Sequence, residues 1–175
     1  MPQRITRGDA EAVLNAFGTG GRVITAKGHT VEASPADFQG SHGSIRPFPG
    51  SAWDGRHFCA EDWHVIVVAW FDGGDASFDR QRAEEVIAPV TISFTLDGAP
   101  LETTRTPIKI FHNPPPQFER AWYFQQGRIM SPEDLSVGEH QVSYTLAHTP
   151  DPSDEGTEGI TFFIDPAGSD ACIGD

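Results

Sequence analysis

The segment His57-Phe-Cys-Ala-Glu-Asp-Trp-His64 concentrates side chains that can do metal or acid–base chemistry. It holds two imidazoles, one thiol and two carboxylates, and zinc takes nitrogen, sulfur and oxygen ligands in a tetrahedral arrangement. Alternate side chains of a strand share a face, so His57, Cys59 and Glu61 would point to one side and His64 to the other. The segment lacks the second ligand pair of the strong zinc patterns. It therefore gives two interpretations: a metal site on His57, Glu61 and His64, or an ordinary entry into a strand.

Two acidic loops are the second candidate for metal chemistry. One loop carries Asp151, Asp154 and Glu158, and the segment Phe71–Asp79 carries three more aspartates. Calcium takes oxygen ligands from flexible loops, so the residue types are suitable. The spacing does not match the EF-hand pattern, and acidic loops of acidic proteins are usually solvated turns. Calcium is therefore a hypothesis for these loops, as zinc is for the histidine segment, and no cofactor is otherwise expected.

The tryptophans suggest an aromatic platform for a sugar ring or a partner protein. Trp70 and Trp122 lie inside apolar strands, which predicts that they belong to the core. Trp53 and Trp63 lie in less regular segments, and together with Tyr123 they are the predicted binding residues at the surface. On this reading Trp53→Ala leaves the fold intact, whereas Trp70→Ala costs about 3–5 kcal/mol as a core deletion.

The motifs of nucleophilic catalysis and of nucleotide binding are missing from the sequence. It contains neither a Gly-x-Ser-x-Gly elbow nor a phosphate loop or dinucleotide fingerprint. A catalytic triad that only the fold assembles cannot be seen in a sequence. The sequence therefore predicts no catalytic residues and favours a protein that is not an enzyme.

Length and charge limit the class of protein. The chain has 175 residues, with 25 acidic and 12 basic side chains and a net charge of −13. Such a length is typical of one domain. The acidic excess counts against nucleic acid as a partner, because binding to phosphates needs basic patches, and no apolar run has the length of a membrane helix. We expect no membrane insertion and a protein or glycan partner.

The two cysteines, Cys59 and Cys172, lie far apart in the sequence. A bond between them would contribute up to about 4–5 kcal/mol in the chain-entropy model, and Cys172 lies in a Gly/Ser/Asp-rich tail that needs a tether to be ordered. A disulfide is therefore favoured over two free thiols. Residues 1–4 do not resemble a leader peptide. The disulfide favours an extracellular or cell-surface protein whose leader has been removed, with a cytoplasmic protein as the alternative.

Strands are the main elements that would position these groups. Residues 8–17 have the pattern of a short helix with Asp9 as its cap. Residues 19–54 form an irregular Gly/Pro-rich arm with short strands at 22–26 and 29–33. The apolar run His64–Phe71 is typical of a strand buried on both faces. A second helix is predicted at 78–87 with Ser77 as its cap, and a hairpin turn at Asp97-Gly98. Alternating residues predict further strands at 90–96, 106–112, 118–125, 141–147 and 159–164, with Gly127 turning the chain after one of them.

The stretch Val90–Asp165 resembles bacterial extracellular immunoglobulin-like modules. Three segments carry the resemblance: Phe94-Thr-Leu-Asp-Gly98, Leu135-Ser-Val-Gly-Glu-His-Gln-Val-Ser-Tyr-Thr-Leu146 and Phe162-Phe-Ile-Asp-Pro166. The resemblance implies an all-β, immunoglobulin-like antiparallel β-sandwich over residues 55–175. Residues 1–54, with the short helix and the irregular arm, would pack on it. The resemblance implies an architecture and no activity, because such sandwiches have many unrelated functions.

These observations predict a secreted, non-catalytic β-sandwich module that binds a protein or a glycan. Two alternatives remain open. One is a metal-dependent enzyme with its site around His57, Glu61 and His64. The other is a self-assembling surface or shell component, whose long arm would reach a neighbouring subunit.

Overall fold

The computed structural model describes residues 4–16, 22–24, 30–32, 44–47 and 53–173, so the rest of the predicted arm lies outside the described residues. The described helices are α1 (Arg7–Ala16), α2 (Arg80–Ile87) and α3 (Asp170–Ile173). The described strands are β1 (Arg22–Ile24), β2 (Thr30–Glu32), β3 (Ser44–Ile45), β4 (His57–Cys59), β5 (His64–Gly74), β6 (Thr91–Leu96), β7 (Ala99–Leu101), β8 (Thr104–Arg105), β9 (Lys109–Ile110), β10 (Arg120–Met130), β11 (Gly138–Ala147) and β12 (Gly156–Asp165). None of these helices has both the length and the apolar composition that crossing a membrane requires.

Two five-stranded sheets enclose the main core. The β5 sheet has the order β3-β5-β10-β8, with β9 also paired to β10, and the β11 sheet has the order β4-β12-β11-β6-β7. The long neighbours are antiparallel, but β3 runs parallel to β5 and β4 runs parallel to β12. The predicted all-β class is therefore confirmed. The expectation of purely antiparallel sheets is wrong, because residues before position 60 supply a parallel edge strand to each sheet.

Strand β5 is buried on both faces, as its continuous apolar sequence predicts. Ile66 and Val68 point into the core between the two sheets. Val65 and Val67 point the other way, into a second cluster that includes Val13 of α1. Helix α1 packs against β5 and β10. Both faces of β5 are therefore removed from water over residues 64–68, where each large apolar side chain contributes roughly 1.5–3 kcal/mol, and residues 69–74 are half-buried.

Both long helices are capped by residues other than those that the sequence pattern indicates. In α1, the predicted cap Asp9 instead reaches back to the amide of Thr6 (2.8 Å), while the Thr6 hydroxyl accepts from the amide of Asp9 (3.2 Å). This is a reciprocal capping box. Helix α2 begins at Arg80, after the expected residue 78, because the carboxylate of Asp79 accepts from the Arg82 amide at 2.9 Å. Ser77, the predicted cap, belongs to the preceding turn.

The hairpin between β6 and β7 confirms the predicted turn. Asp97 and Gly98 both have positive φ, 52° and 80°, which is the backbone of a two-residue type I′ turn. The Asp97 carboxylate also accepts from the Gln141 amide at 2.8 Å and from Nδ1 of buried His140 at 2.7 Å. Nε2 of His140 lies 2.7 Å from the Ser136 carbonyl. Each ring nitrogen of His140 therefore faces an oxygen atom, and these contacts hold the ring in place.

Strand β10 continues through Gly127, where the sequence pattern predicts a turn. A Cβ atom at this position would lie 2.2 Å from the carbonyl oxygen of Ile66 and 2.9 Å from the Cα atom of Val67. The glycine therefore allows the close approach of β5 to β10 instead of reversing the chain. The strand predicted at 106–112 is much shorter in the structure, since only Lys109 and Ile110 of this segment pair with β10.

We expect Gly127→Ala to lower the free energy of unfolding by at least about 2 kcal/mol, because the added methyl group meets backbone atoms that cannot move independently. Gly8→Ala is the matched control. A Cβ atom at Gly8 meets nothing closer than 3.7 Å, and alanine is the better helix former by about 1 kcal/mol. Urea unfolding of both variants measures the difference, and equal midpoints would contradict the close-approach argument.

Candidate functional site

The predicted disulfide is present and removes the thiolate from the histidine segment. Sγ of Cys59 and Sγ of Cys172 are bonded at 2.03 Å, and both residues are buried. In the described part of the chain, the potential metal ligands that lie within 4.8 Å of one another are Cys59, Glu61 and Cys172. Two of these three ligand atoms are already bonded to each other. In this oxidised form the cluster offers only the carboxylate of Glu61.

The three predicted metal ligands His57, Glu61 and His64 are not brought together. His57 is exposed; its Nδ1 lies 2.8 Å from the carboxylate of Asp165, and its ring stacks on Phe163. Glu61 pairs with the guanidinium of Arg4. His64 is buried, with Nε2 3.0 Å from the carbonyl of Cys59. The chain turns between β4 and β5, so His57 and His64 belong to different sheets.

The predicted aromatic platform is not formed, because two of its three residues are buried. Trp53 is 5% exposed and packs in the core between the sheets. Tyr123 is 2% exposed in the cluster beneath α1, and its burial raises the pKa of the hydroxyl to about 12. Trp63 keeps an exposed part, beneath the guanidinium of Arg7 at 5.8 Å. The position of Trp53 in an irregular segment therefore does not make it a surface residue. It lies just before β4, where its side chain covers the core.

The predicted calcium ligands of the loop between β11 and β12 have structural partners. The carboxylate of Asp151 accepts from the Ser153 amide at 2.9 Å and caps the 3-10 turn Pro152–Asp154. This hydrogen bond lowers the pKa of Asp151. The carboxylate of Glu158 accepts from the hydroxyl of buried Tyr144 at 2.7 Å. Burial and this carboxylate together raise the pKa of Tyr144.

One open pocket brings the two acidic segments together. It lies where β5 ends and where the loops before β10 and after β11 meet, and its volume is about 530 Å³. We call it the mouth pocket. Its lining residues are Trp70, Phe71, Asp72, Gln117, Phe118, Pro150, Asp151 and Asp154. The sequence identifies both acidic segments, but their meeting depends on β5 and β11 ending at the same side of the two sheets.

The outer face of the β11 sheet carries rows of hydroxyl groups. Ser143 lies between Thr95 and Gly159 in the register, and its hydroxyl is 2.6 Å from that of Thr95. In the next row the hydroxyls of Thr145 and Thr157 are 2.7 Å apart. A cleft of about 500 Å³ lies beside Gly159. We call this surface the hydroxyl face. Sequence alternation contains this signal, since Ser, Thr or Gly stands at alternate positions of β6 (91, 93 and 95), of β11 (143 and 145) and of β12 (157, 159 and 161).

Comparison with known proteins adds little to this geometry. No family model matches the chain, and no curated protein matches it. Among solved structures, a cysteine protease inhibitor from Entamoeba histolytica is similar at 11% sequence identity and a TM-score of 0.31, over 69% of this chain and 95% of that chain. A similarity at this level supports no conclusion about function. The fold and the disulfide define an all-β protein whose main core lies between two five-stranded sheets and whose chain carries a non-local covalent link.

Proposed function

We propose that this protein is a secreted, non-catalytic binding module on an immunoglobulin-like β-sandwich, and that it binds a partner protein through the mouth pocket. The pocket itself is the observation that carries the proposal. It combines an aromatic wall with a few polar groups, the usual composition of a binding site. Loops at one end of a β-sandwich are a common place for recognition. The Cys59–Cys172 disulfide is typical of proteins outside the reducing cytosol.

The described side chains support binding in preference to catalysis. His57 and His140 are held by the carboxylates of Asp165 and Asp97. A hydroxyl does lie near an imidazole at Thr91, whose Oγ1 is 3.1 Å from Nδ1 of His148. Both residues are exposed and outside the two clefts, and no carboxylate among the described residues holds this ring. A nucleophile needs a base that a third group orients, so this pair lacks the environment of a catalytic one.

The hydroxyl face supports a second candidate, glycan binding. Its hydroxyl rows and the amide of Gln141 offer donors and acceptors beside the cleft at Gly159. The stacked rings of His57 and Phe163 lie on the same sheet. Sugars are bound by such hydrogen-bonding groups beside aromatic rings. This candidate ranks second because its hydroxyl groups are already hydrogen-bonded within the protein, Thr95 to Ser143 and Thr145 to Thr157.

A two-part screen tests the proposed function. The full-length oxidised protein is exposed to a random peptide library and to a glycan array, and each ligand is mapped by NMR chemical shifts. We expect peptide ligands that move the signals of Phe118 and Asp151. Glycan ligands that move the methyl signals of Thr95 and Thr157 would establish the second candidate instead. If no peptide moves the pocket signals, the proposed function is wrong.

A further inference from the structure

We propose that the mouth pocket binds the guanidinium group of an arginine side chain on the partner protein. This inference rests on the proposed function and names the chemistry that the pocket recognises. Three properties of the pocket lead to it: the sign of its charge, the separation of its carboxylates, and its aromatic wall.

The charge of the pocket is negative and unbalanced. Asp72, Asp151 and Asp154 line it, and no lining residue is basic. Within the described ranges none of these three carboxylates takes part in an ion pair. A cleft lined by charges of one sign focuses its field on a ligand of the opposite sign. The Ser153 amide, which donates to Asp151, keeps that carboxylate in its charged form.

The spacing of the carboxylates favours an extended organic cation over a metal ion. A calcium site needs several oxygens at roughly 2.3–2.6 Å from one centre. In the part of the chain that the structure describes, these aspartates do not form a group of three ligands within 4.8 Å of one another. A cavity of about 530 Å³ is also far larger than a single ion. A side chain that carries its charge over several atoms can reach carboxylates that a metal ion cannot bridge.

The aromatic wall distinguishes arginine from other cations. Trp70 and Phe118 line the pocket beside the carboxylates. A cation over the face of an aromatic ring is stabilised by the ring quadrupole. The planar guanidinium group can stack on an indole and still donate two parallel hydrogen bonds to a carboxylate, whereas the ammonium group of lysine is a compact and strongly hydrated charge.

The test titrates the full-length oxidised protein with blocked tripeptides that contain arginine, citrulline or lysine, and with free guanidinium chloride. Citrulline has nearly the shape of arginine without the charge. The Trp70 indole signal, assigned with Trp70→Phe, reports binding by NMR. We expect the arginine peptide to bind at least about tenfold more tightly than each of the other three probes, a difference of about 1.4 kcal/mol.

Two double variants separate the pocket from the general charge of the protein. Asp151→Asn with Asp154→Asn removes two carboxylates from the pocket and keeps an acceptor for the Ser153 amide. Glu133→Gln with Glu139→Gln removes the same charge near the loop between β10 and β11, at the opposite end of the sheets. We expect the pocket variant to weaken the arginine peptide at least tenfold, and the control variant to leave its affinity unchanged.

The outcomes separate this inference from the proposed function. Equal binding of the citrulline or lysine peptide in the mouth pocket overturns the guanidinium assignment and leaves a peptide-binding pocket. Tighter binding of free guanidinium makes the ligand a small cation and overturns the protein source. An equal loss in both double variants means that only long-range charge is recognised. Binding of no probe overturns the inference, and the library screen then decides the proposed function on its own.

Discussion

Removal of the Cys59–Cys172 disulfide is expected to lower the free energy of unfolding by about 4 kcal/mol. The two cysteines are separated by 113 residues, and a cross-link over such a loop restricts the unfolded chain by roughly 4–5 kcal/mol. The link also holds α3 against β4. The guanidinium of Arg4 donates to the Cys59 sulfur at 3.3 Å and to the Cys172 carbonyl at 3.1 Å, so the N-terminal segment depends on the same junction.

The double variant Cys59→Ala/Cys172→Ala tests this expectation by urea unfolding with and without reductant. Alanine suits these positions because both side chains are buried. Reductant should lower the midpoint of the wild-type protein to that of the variant and should leave the variant unchanged. The expectation is wrong if the reduced and oxidised wild-type proteins unfold at the same urea concentration.

Trp53→Ala is expected to cost about 3–5 kcal/mol, the range for a large aromatic side chain in a core. Trp53 is 5% exposed and packs in the cluster that joins the two sheets. The sequence pattern predicts the opposite, a fold that tolerates this substitution. The physical reason for the correction is that the residue before β4 closes the edge of the core, where an indole fills the space between the sheets.

Trp63→Ala is the matched control for this prediction. Trp63 is only partly buried and lies beneath the guanidinium of Arg7, so its removal deletes less packing and should cost distinctly less. Thermal or urea unfolding of both variants measures the difference. Comparable midpoints for Trp53→Ala and Trp63→Ala would show that Trp53 is not a core residue in solution.

The fold could be predicted from the sequence wherever one strand carries a long periodic signal. Strand β5 is a continuous apolar run, and β6, β11 and β12 alternate over six to ten residues. The parallel edge strands β3 and β4 have only two and three residues. A pattern needs several periods to be recognised, so such short strands carry none. Their pairing is decided by the long partners β5 and β12.

The candidate site, like the fold, could be predicted from the sequence only in part. His57 and His64 are separated by the turn between β4 and β5, which strand parity does not reveal, whereas the two lone cysteines correctly predict their bond. The mouth pocket is different, because Asp72 and Asp151 are distant in sequence and meet only through the topology of the two sheets. Side chains that are close in sequence can be grouped by spacing alone, whereas a pocket between loops requires the strand order.

The parallel pairing of β4 with β12 has a consequence for the order of folding. His57 and Cys59 pair with Phe163 and Asp165, so β4 has to wait until a segment about a hundred residues later has been synthesised. Until then β4 lacks its partner β12, and an unpaired strand edge is a site of aggregation. Pairings this distant also slow folding. The β11 sheet is therefore completed only after residues 156–165 have been synthesised, and a chaperone that holds the nascent chain would act on residues 53–60.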